Sequence, residues 1–289
     1  MSEFAQLCHA AGITSPMLLF IGGGNMASAL VNGCLSSGFA TSEEIAISCR
    51  SEGTRDKWKK QGFTNVFTST PAMIDTFPDG IIVLAVKPQS RNDVYKSLSS
   101  NGVDLRSCPL LISLLAGVHI VTLKKELLEA VEYSCPIVRL MPNTAAAIGS
   151  GASILCADAG VPKEKVDIVK AFASRTGLCV EVNSSTFNAY GVISGSAPAW
   201  AFMFIESLAD GGVFNGCTRE TALKLAAQSV LGAAEMVLSS GEHPAVLKDK
   251  VCSPGGTTIA GIRELEKSGF RHTVIEAVKA ATDRANNMS

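Results

Sequence analysis

The sequence is short of charge, short of aromatic rings and without excess of either sign. Charged residues make up 18% of the 289 positions and aromatic residues 6%, and 25 basic residues stand against 26 acidic ones for a formal charge of −1. A nucleic-acid or anionic-membrane surface would need a basic stripe that this composition does not supply, so neither partner is expected. The nine cysteines are odd in number and form no Cys-x-x-Cys pair. That argues against a secreted disulfide frame and against a zinc ribbon. The four histidines, His9, His119, His243 and His272, have no mutual spacing for a metal or a catalytic triad, and no metal is expected. Residues 1–16 carry neither the basic region and apolar run of a signal peptide nor the arginines of a transit peptide. They read as a short extension before the fold, with the cytoplasm as the default compartment.

Apolar residues, by contrast, reach 47%, and there are 26 glycines. This is too apolar for disorder and ample for one large or two ordinary cores. Short apolar runs at 17–21, 45–48, 80–86, 110–114, 137–141, 152–156 and 178–182 alternate with helical stretches at 53–61, 90–99, 121–131 and 163–174. Fully buried parallel strands read this way, and repeated strand–helix units predict an α/β fold with a doubly wound sheet. After position 182 the strand signal stops. Helices are expected at 185–193, 197–214, 219–239, 244–251, 257–267 and 270–286, so the chain divides into an extension (1–16), a sheet domain (17–183) and an all-α domain (184–289). Residues 183–205 carry no charge but include Asn183, Asn188, four serines and Pro198, which argues against a membrane span. The Ala-rich helix faces suit packing within the domain or against a second copy.

Three features carry chemistry. Gly22-x-Gly24-x-x-Ala27 stands between a strand and a helix, the arrangement in which backbone approaches a pyrophosphate at a helix N-terminus. The end of the next strand, Ser48-Cys49-Arg50-Ser51, lacks the acid that grips the ribose of NAD, and Arg50, with Arg55 and Lys57 beyond it, suits a 2′-phosphate. NADPH is therefore the expected cofactor, with NADH the second choice. Further strand ends at Ala85-Val86-Lys87-Pro88, Leu115-Ala116-Gly117 and Met141-Pro142-Asn143-Thr144 fall on the same expected rim, consistent with a continuous cofactor groove. Last, Ser253-Pro254-Gly255-Gly256-Thr257-Thr258 precedes a helical run and offers bare backbone N–H groups to a carboxylate. The two threonines serve either as helix caps or as hydroxyls for a bound molecule.

Taken together, the motifs resemble those of the pyrroline-5-carboxylate reductase family. The resemblance rests on IGGGNMASAL at 21–30, AVKPQ at 85–89, MPNT at 141–144, SGSAPAWAF at 194–202 and, most specifically, LKDKVCSPGGTTIAGI at 247–262. It implies hydride transfer from NAD(P)H to the imine carbon of 1-pyrroline-5-carboxylate, giving L-proline. Such a reaction needs orientation, a carboxylate anchor and a hydrogen bond at the ring nitrogen rather than a triad.

By the same resemblance, Gly255, Gly256, Thr257 and Thr258 form the substrate site, and the Thr258 hydroxyl bonds the substrate nitrogen as the catalytic group. Gly22, Gly24, Asn25 and Met26 surround the pyrophosphate. Ser48, Arg50, Ala85, Val86, Lys87, Pro88, Ala116 and Asn143 complete the cofactor site, Asn143 at its nicotinamide end. The helical domain is expected to form a homodimer, and larger rings of dimers occur in the family. The chain departs from the family pattern at Ala145, where Pro is usual, at Ala197, where Gly is usual, at Thr70-Pro71-Ala72, which lacks a ribose-contacting Asn, and at Lys250, where Asn is common. Two rivals stand beside this reading. A hydroxyacid dehydrogenase of similar build would place a lysine in the helix at 197–214, which has none, and a dinucleotide-binding regulator without turnover would have no need of the Gly256-Thr257-Thr258 anchor.

Overall fold

The computed structural model describes residues 1–134 and 136–287. Eight strands form one sheet: β1 (Leu18–Ile21), β2 (Ile45–Ser48), β3 (Val66–Phe67), β4 (Ile81–Leu84), β5 (Leu111–Ser113), β6 (Ile137–Met141), β7 (Gly151–Ala157) and β8 (Gly177–Glu181). Their order is β3-β2-β1-β4-β5-β6-β7-β8. The helices of this unit are α1 (Glu3–Ala10), α2 (Asn25–Ser36), α3 (Glu52–Lys60), α4 (Thr70–Thr76), α5 (Arg91–Ser100), α6 (Ile120–Val131), α7 (Lys163–Ser174) and α8 (Phe187–Gly191).

The inner strands β1, β2, β4 and β5 are apolar on both faces because both are covered, whereas β8 at the sheet edge leaves Leu178 and Val180 exposed. Leu18 and Phe20 of β1 enter one apolar cluster with Leu30, Trp58 and Phe172, while Leu19 and Ile21 enter a second with Met73, Leu98 and Leu123. Strand residues two apart share a face, so β1, β2, β4 and β5 each feed both layers, while β8 gives only Cys179 to the first.

The expected parallel sheet holds from β3 through β6, but β7 runs antiparallel to β6, with Arg139 opposite Cys156, and β8 then runs parallel to β7. A parallel return needs a crossover of about a dozen residues or more. Between β6 and β7 the chain has only a 3₁₀ turn, Thr144–Ile148, so it doubles back.

Residues 1–16, read from the sequence as an extension, carry α1 and pack on the sheet unit. Ser2 caps this helix by accepting from the Ala5 N–H at 3.0 Å. Phe4 is fully buried with its ring centroid 5.8 Å from that of Phe39. Glu3 pairs with Arg175, whose guanidinium lies over the Phe39 ring. Sequence alone also passed over β3 and α4: a two-residue strand is too short to show a period.

The chain falls into two units, residues 1–195 together with the C-terminal residues from Asp283, and Ser196–Thr282. The first extends beyond position 183 because α8 packs on the sheet through Phe187, which is 1% exposed. A π-helical turn, Val192–Ser196, follows.

The second unit is helical: α9 (Ala197–Phe214), α10 (Arg219–Ser240), α11 (Pro244–Val251), α12 (Thr257–Lys267) and most of α13 (Phe270–Asn286). Among its apolar residues only Ala209, Ala222, Ala226 and Leu247 are buried. Phe202, Met203, Phe214, Leu225, Leu238 and Ile275 are exposed, so a single copy leaves most of its apolar faces uncovered.

Candidate active site

The first glycine turn is built at the carboxyl end of β1. Gly22 has φ +103°, and its N–H donates to the Ser48 carbonyl at 2.9 Å. A Cβ there would meet the Ala85 carbonyl oxygen, so only glycine fits. Gly23, which the sequence reading left without a role, is equally confined: a Cβ would fall 2.5 Å from both Cys49 Sγ and Trp58 Nε1. The Trp58 indole N–H donates to the Gly23 carbonyl at 3.1 Å, and Trp58 is fully buried. Gly24 differs from both. Nothing lies within 4 Å of its notional Cβ, and it stands at the N-cap of α2 with no side-chain cap. Two glycines therefore seat the turn on the sheet, while the third opens the uncapped helix end, with Asn25 exposed and Met26 half-buried beside it, to an anion. Ala27 is fully buried beneath, as close helix–strand packing requires.

The neighbouring strand end separates its predicted residues. Ser48 is 4% exposed and its hydroxyl lies 3.0 Å from that of Thr70, so the side chain is spent inside the fold. Arg50 projects, its side chain 77% exposed, and reaches Ser90 Oγ and Asp93 Oδ2 at 3.4 Å each. Arg55 folds back to donate to the Cys49 and Arg50 carbonyls at 3.0 and 2.7 Å, fixing the loop that presents Arg50. Cys49 is buried, and burial raises its thiol pKa, so it is not a poised nucleophile. Ala85 and Val86 are half-buried against Gly22, Lys87 is exposed, Pro88 opens a 3₁₀ turn, and Ala116 is exposed just past β5.

Asn143 lies just past β6 and is 7% exposed. Its Oδ1 accepts from the backbone N–H groups of Ala145 and Ala152, both at 3.2 Å, and its Nδ2 donates to the Ser194 carbonyl at 2.9 Å. One amide hydrogen remains for any other partner.

In the helical unit, Gly255 has φ +67°, the turn that a Pro-Gly-Gly run supplies. Gly256 is the N-cap of α12, and a Cβ there would collide with Ser253 Oγ at 2.3 Å. No side chain caps α12, so its first N–H groups, including those of Thr257 and Thr258, point outward with the positive end of the helix. Thr257 is exposed and Thr258 half-buried. The capping role allowed for these threonines is not the one they take, since the N-cap is the glycine before them.

Comparison with known proteins gives this pattern its context. The chain matches the family model for pyrroline-5-carboxylate reductase dimerisation over residues 184–288 and that for NADP oxidoreductase, coenzyme F420-dependent, over residues 18–117. It is 44% identical to a putative pyrroline-5-carboxylate reductase 4 of Caenorhabditis elegans, covering 100% of this chain and 98% of that one. It is 39% identical to the pyrroline-5-carboxylate reductase of Arabidopsis thaliana, over 93% and 94% of the two chains. Among solved structures it is similar to the enzyme of Coxiella burnetii, with a TM-score of 0.85 at 32% identity, covering 95% of this chain and 99% of that one. It is also similar to that of Plasmodium falciparum with NADP bound, with a TM-score of 0.80 at 34% identity over 94% and 97%. A Rossmann-type sheet with an open glycine turn, a helical partner unit and likeness along the whole chain place this protein in the pyrroline-5-carboxylate reductase family.

Proposed function

We infer that the protein reduces the imine of 1-pyrroline-5-carboxylate to L-proline, the last step of proline synthesis, with NADPH as hydride donor. The observation that carries this reading is the pair of glycine turns, each ending at a helix whose N-terminus no side chain caps. The open Gly24 turn, with Asn25 and Met26, receives the pyrophosphate, and Arg50 neutralises the 2′-phosphate. Ala85, Val86, Lys87, Pro88 and Ala116 border the rest of the cofactor along the carboxyl rim, where open α/β sheets bind ligands. Ser48 and Asn143 shape that rim from within, given how their side chains are engaged.

The Gly255-Gly256 turn and the Thr257 and Thr258 N–H groups hold the substrate carboxylate. The Thr258 hydroxyl donates to the ring nitrogen and assists its protonation. An iminium carbon is already electrophilic, so alignment and charge placement supply most of the catalysis. The exposed apolar faces of α9, α10 and α13, together with the match to a dimerisation model, support a homodimer through the helical unit, and a ring of dimers would be a further level of assembly. The cytoplasm is the proposed compartment, consistent with free cysteines at the described positions.

Purified protein should oxidise NADPH only when the cyclic imine is added. Thr258→Ala should lower kcat on the order of a hundredfold with an unchanged unfolding midpoint. Absence of imine-dependent oxidation in the wild type would overturn the reading, and wild-type turnover in the variant would remove Thr258 from the chemistry.

A further inference from the structure

Arg139 sits in the middle of β6 and is 2% exposed. Its two terminal guanidinium nitrogens find no hydrogen-bond partner among the described residues. Its Cζ instead lies 4.1 Å from the centroid of the Phe187 ring, at the start of α8. A buried guanidinium with no carboxylate partner among the described residues is an expensive core residue, and an apolar side chain of the same volume would be cheaper to bury. What the guanidinium adds is a planar cation that takes a defined pose over an aromatic face.

The next residues on the same face of β6 grip the same segment. Met141 Sδ would lie 2.9 Å from a Cβ on Gly191, so glycine there makes room for the thioether. Asn143, still in extended backbone at φ −113°, donates to the Ser194 carbonyl at 2.9 Å. Residues 139, 141 and 143 alternate along the strand direction, and residues 187, 191 and 194 recur along one face of a helix. The three contacts form a ladder that seats residues 187–195 on β6. Its last rung falls in the π-helical turn Val192–Ser196, a type of irregularity common at functional sites.

We propose that Arg139 is a positioning residue for the reduction: stacked on Phe187, it fixes residues 187–195 against β6 and so keeps the Ser194 carbonyl on Asn143 and the rim after β6 aligned for hydride transfer. This rests on the reductase reading above. The terminal nitrogens of Arg139 are buried, and Asn143 spends three of its four hydrogen-bonding capacities on backbone. Alignment of the rim is therefore their shared task.

The test uses the full-length enzyme. Arg139→Met should lower kcat on the order of tenfold or more. It should change the NADPH dissociation constant, read by fluorescence, by no more than about twofold, because the Gly24 turn and Arg50 belong to other strands. Amide exchange at 187–196 should quicken by about tenfold while that of 52–60 stays put. Phe187→Leu should reproduce both effects and carries the test if Arg139→Met fails to fold. The double variant should be no slower than the worse single one, and Arg139→Lys should restore part of kcat.

Unchanged kcat and exchange, additive losses in the double variant, or a loss of NADPH affinity equal to the loss of kcat would each overturn the proposal. A wild-type enzyme inert toward the imine would instead count against the reductase reading. The exchange measurement, which needs no turnover, would then decide whether the ladder exists.

Discussion

Gly22 lies so close to Ala85 that a Cβ on it would stand 2.7 Å from the Ala85 carbonyl oxygen, with φ at +103°. Gly24, two residues on, faces open space. Alanine should therefore have opposite effects at the two positions. Gly22→Ala should destabilise the fold by roughly 2 kcal/mol or more, through backbone strain and collision. Gly24→Ala should cost less than about 1 kcal/mol, the loss of a good N-cap residue. It should nevertheless weaken NADPH binding on the order of tenfold, because the methyl occupies the approach of the pyrophosphate. Denaturant unfolding and cofactor titration of both variants check this. Equal destabilisation with equal affinity would contradict the division of labour between the glycines.

Arg50 tests the cofactor preference. Its contacts with Asp93 and Ser90 are long and its side chain is largely exposed, so Arg50→Ala should shift stability by less than about 0.5 kcal/mol. The KM for NADPH should rise by about tenfold, the scale of one charge-assisted phosphate contact, while that for NADH hardly moves. A similar rise for both would mean that Arg50 does not read the 2′-phosphate.

His119 offers a pH test of the buried charge on β6. Burial, and then the positive charge of Arg139, lower its pKa below the ordinary value near 6.5. Above that ordinary value the imidazole is neutral in folded and unfolded chains alike and contributes nothing to the pH dependence. As pH falls below it, the unfolded chain takes up a proton that the folded protein resists until the lower folded value is reached, so stability drops through this window. His119→Gln should flatten that part of the stability profile, and Arg139→Met should raise the His119 value seen by NMR titration. An unmoved titration in Arg139→Met would show that the two groups do not interact.

The helical unit sets an assembly test. Leu225 and Leu238 of α10 and Phe202 of α9 are exposed in one copy, and α10 is by length and composition long enough to cross a bilayer. Mass measurement by light scattering should give a dimer or a multiple of it. Leu225→Glu should shift the population toward monomer and lower the unfolding midpoint, since a buried, unpaired carboxylate at an interface costs several kcal/mol. A monomeric wild type, or one recovered only with detergent-solubilised membrane, would refute the homodimer.

Much of this molecule was legible in its sequence because the signals are local. Apolar runs bounded by turn residues marked seven of the eight strands, and the capless turns at Gly22 and Gly255 followed from glycines and a proline whose allowed dihedrals are intrinsic. The placement of Arg50 just past the end of β2 followed from the same reading. Other features depended on contacts distant in sequence. Two-residue β3 carries no period, and the packing of α1 depends on Phe39 and Arg175. The reversal at β7 is set by a connection too short to cross over. The family resemblance gave Ser48 and Asn143 as cofactor residues; that their side chains bond Thr70 and the backbone of residues 145, 152 and 194 is visible only in the fold.

Arg139 is the sharpest case. Within five residues of strand, nothing announces that a guanidinium will be 2% exposed. Sequence determined which backbone turns could receive anions, because φ preference and missing side chains are properties of the residue itself. Only the tertiary structure decided which polar side chains are already spent, because a hydrogen-bond partner or an aromatic face fifty residues away exists only once the sheet has formed.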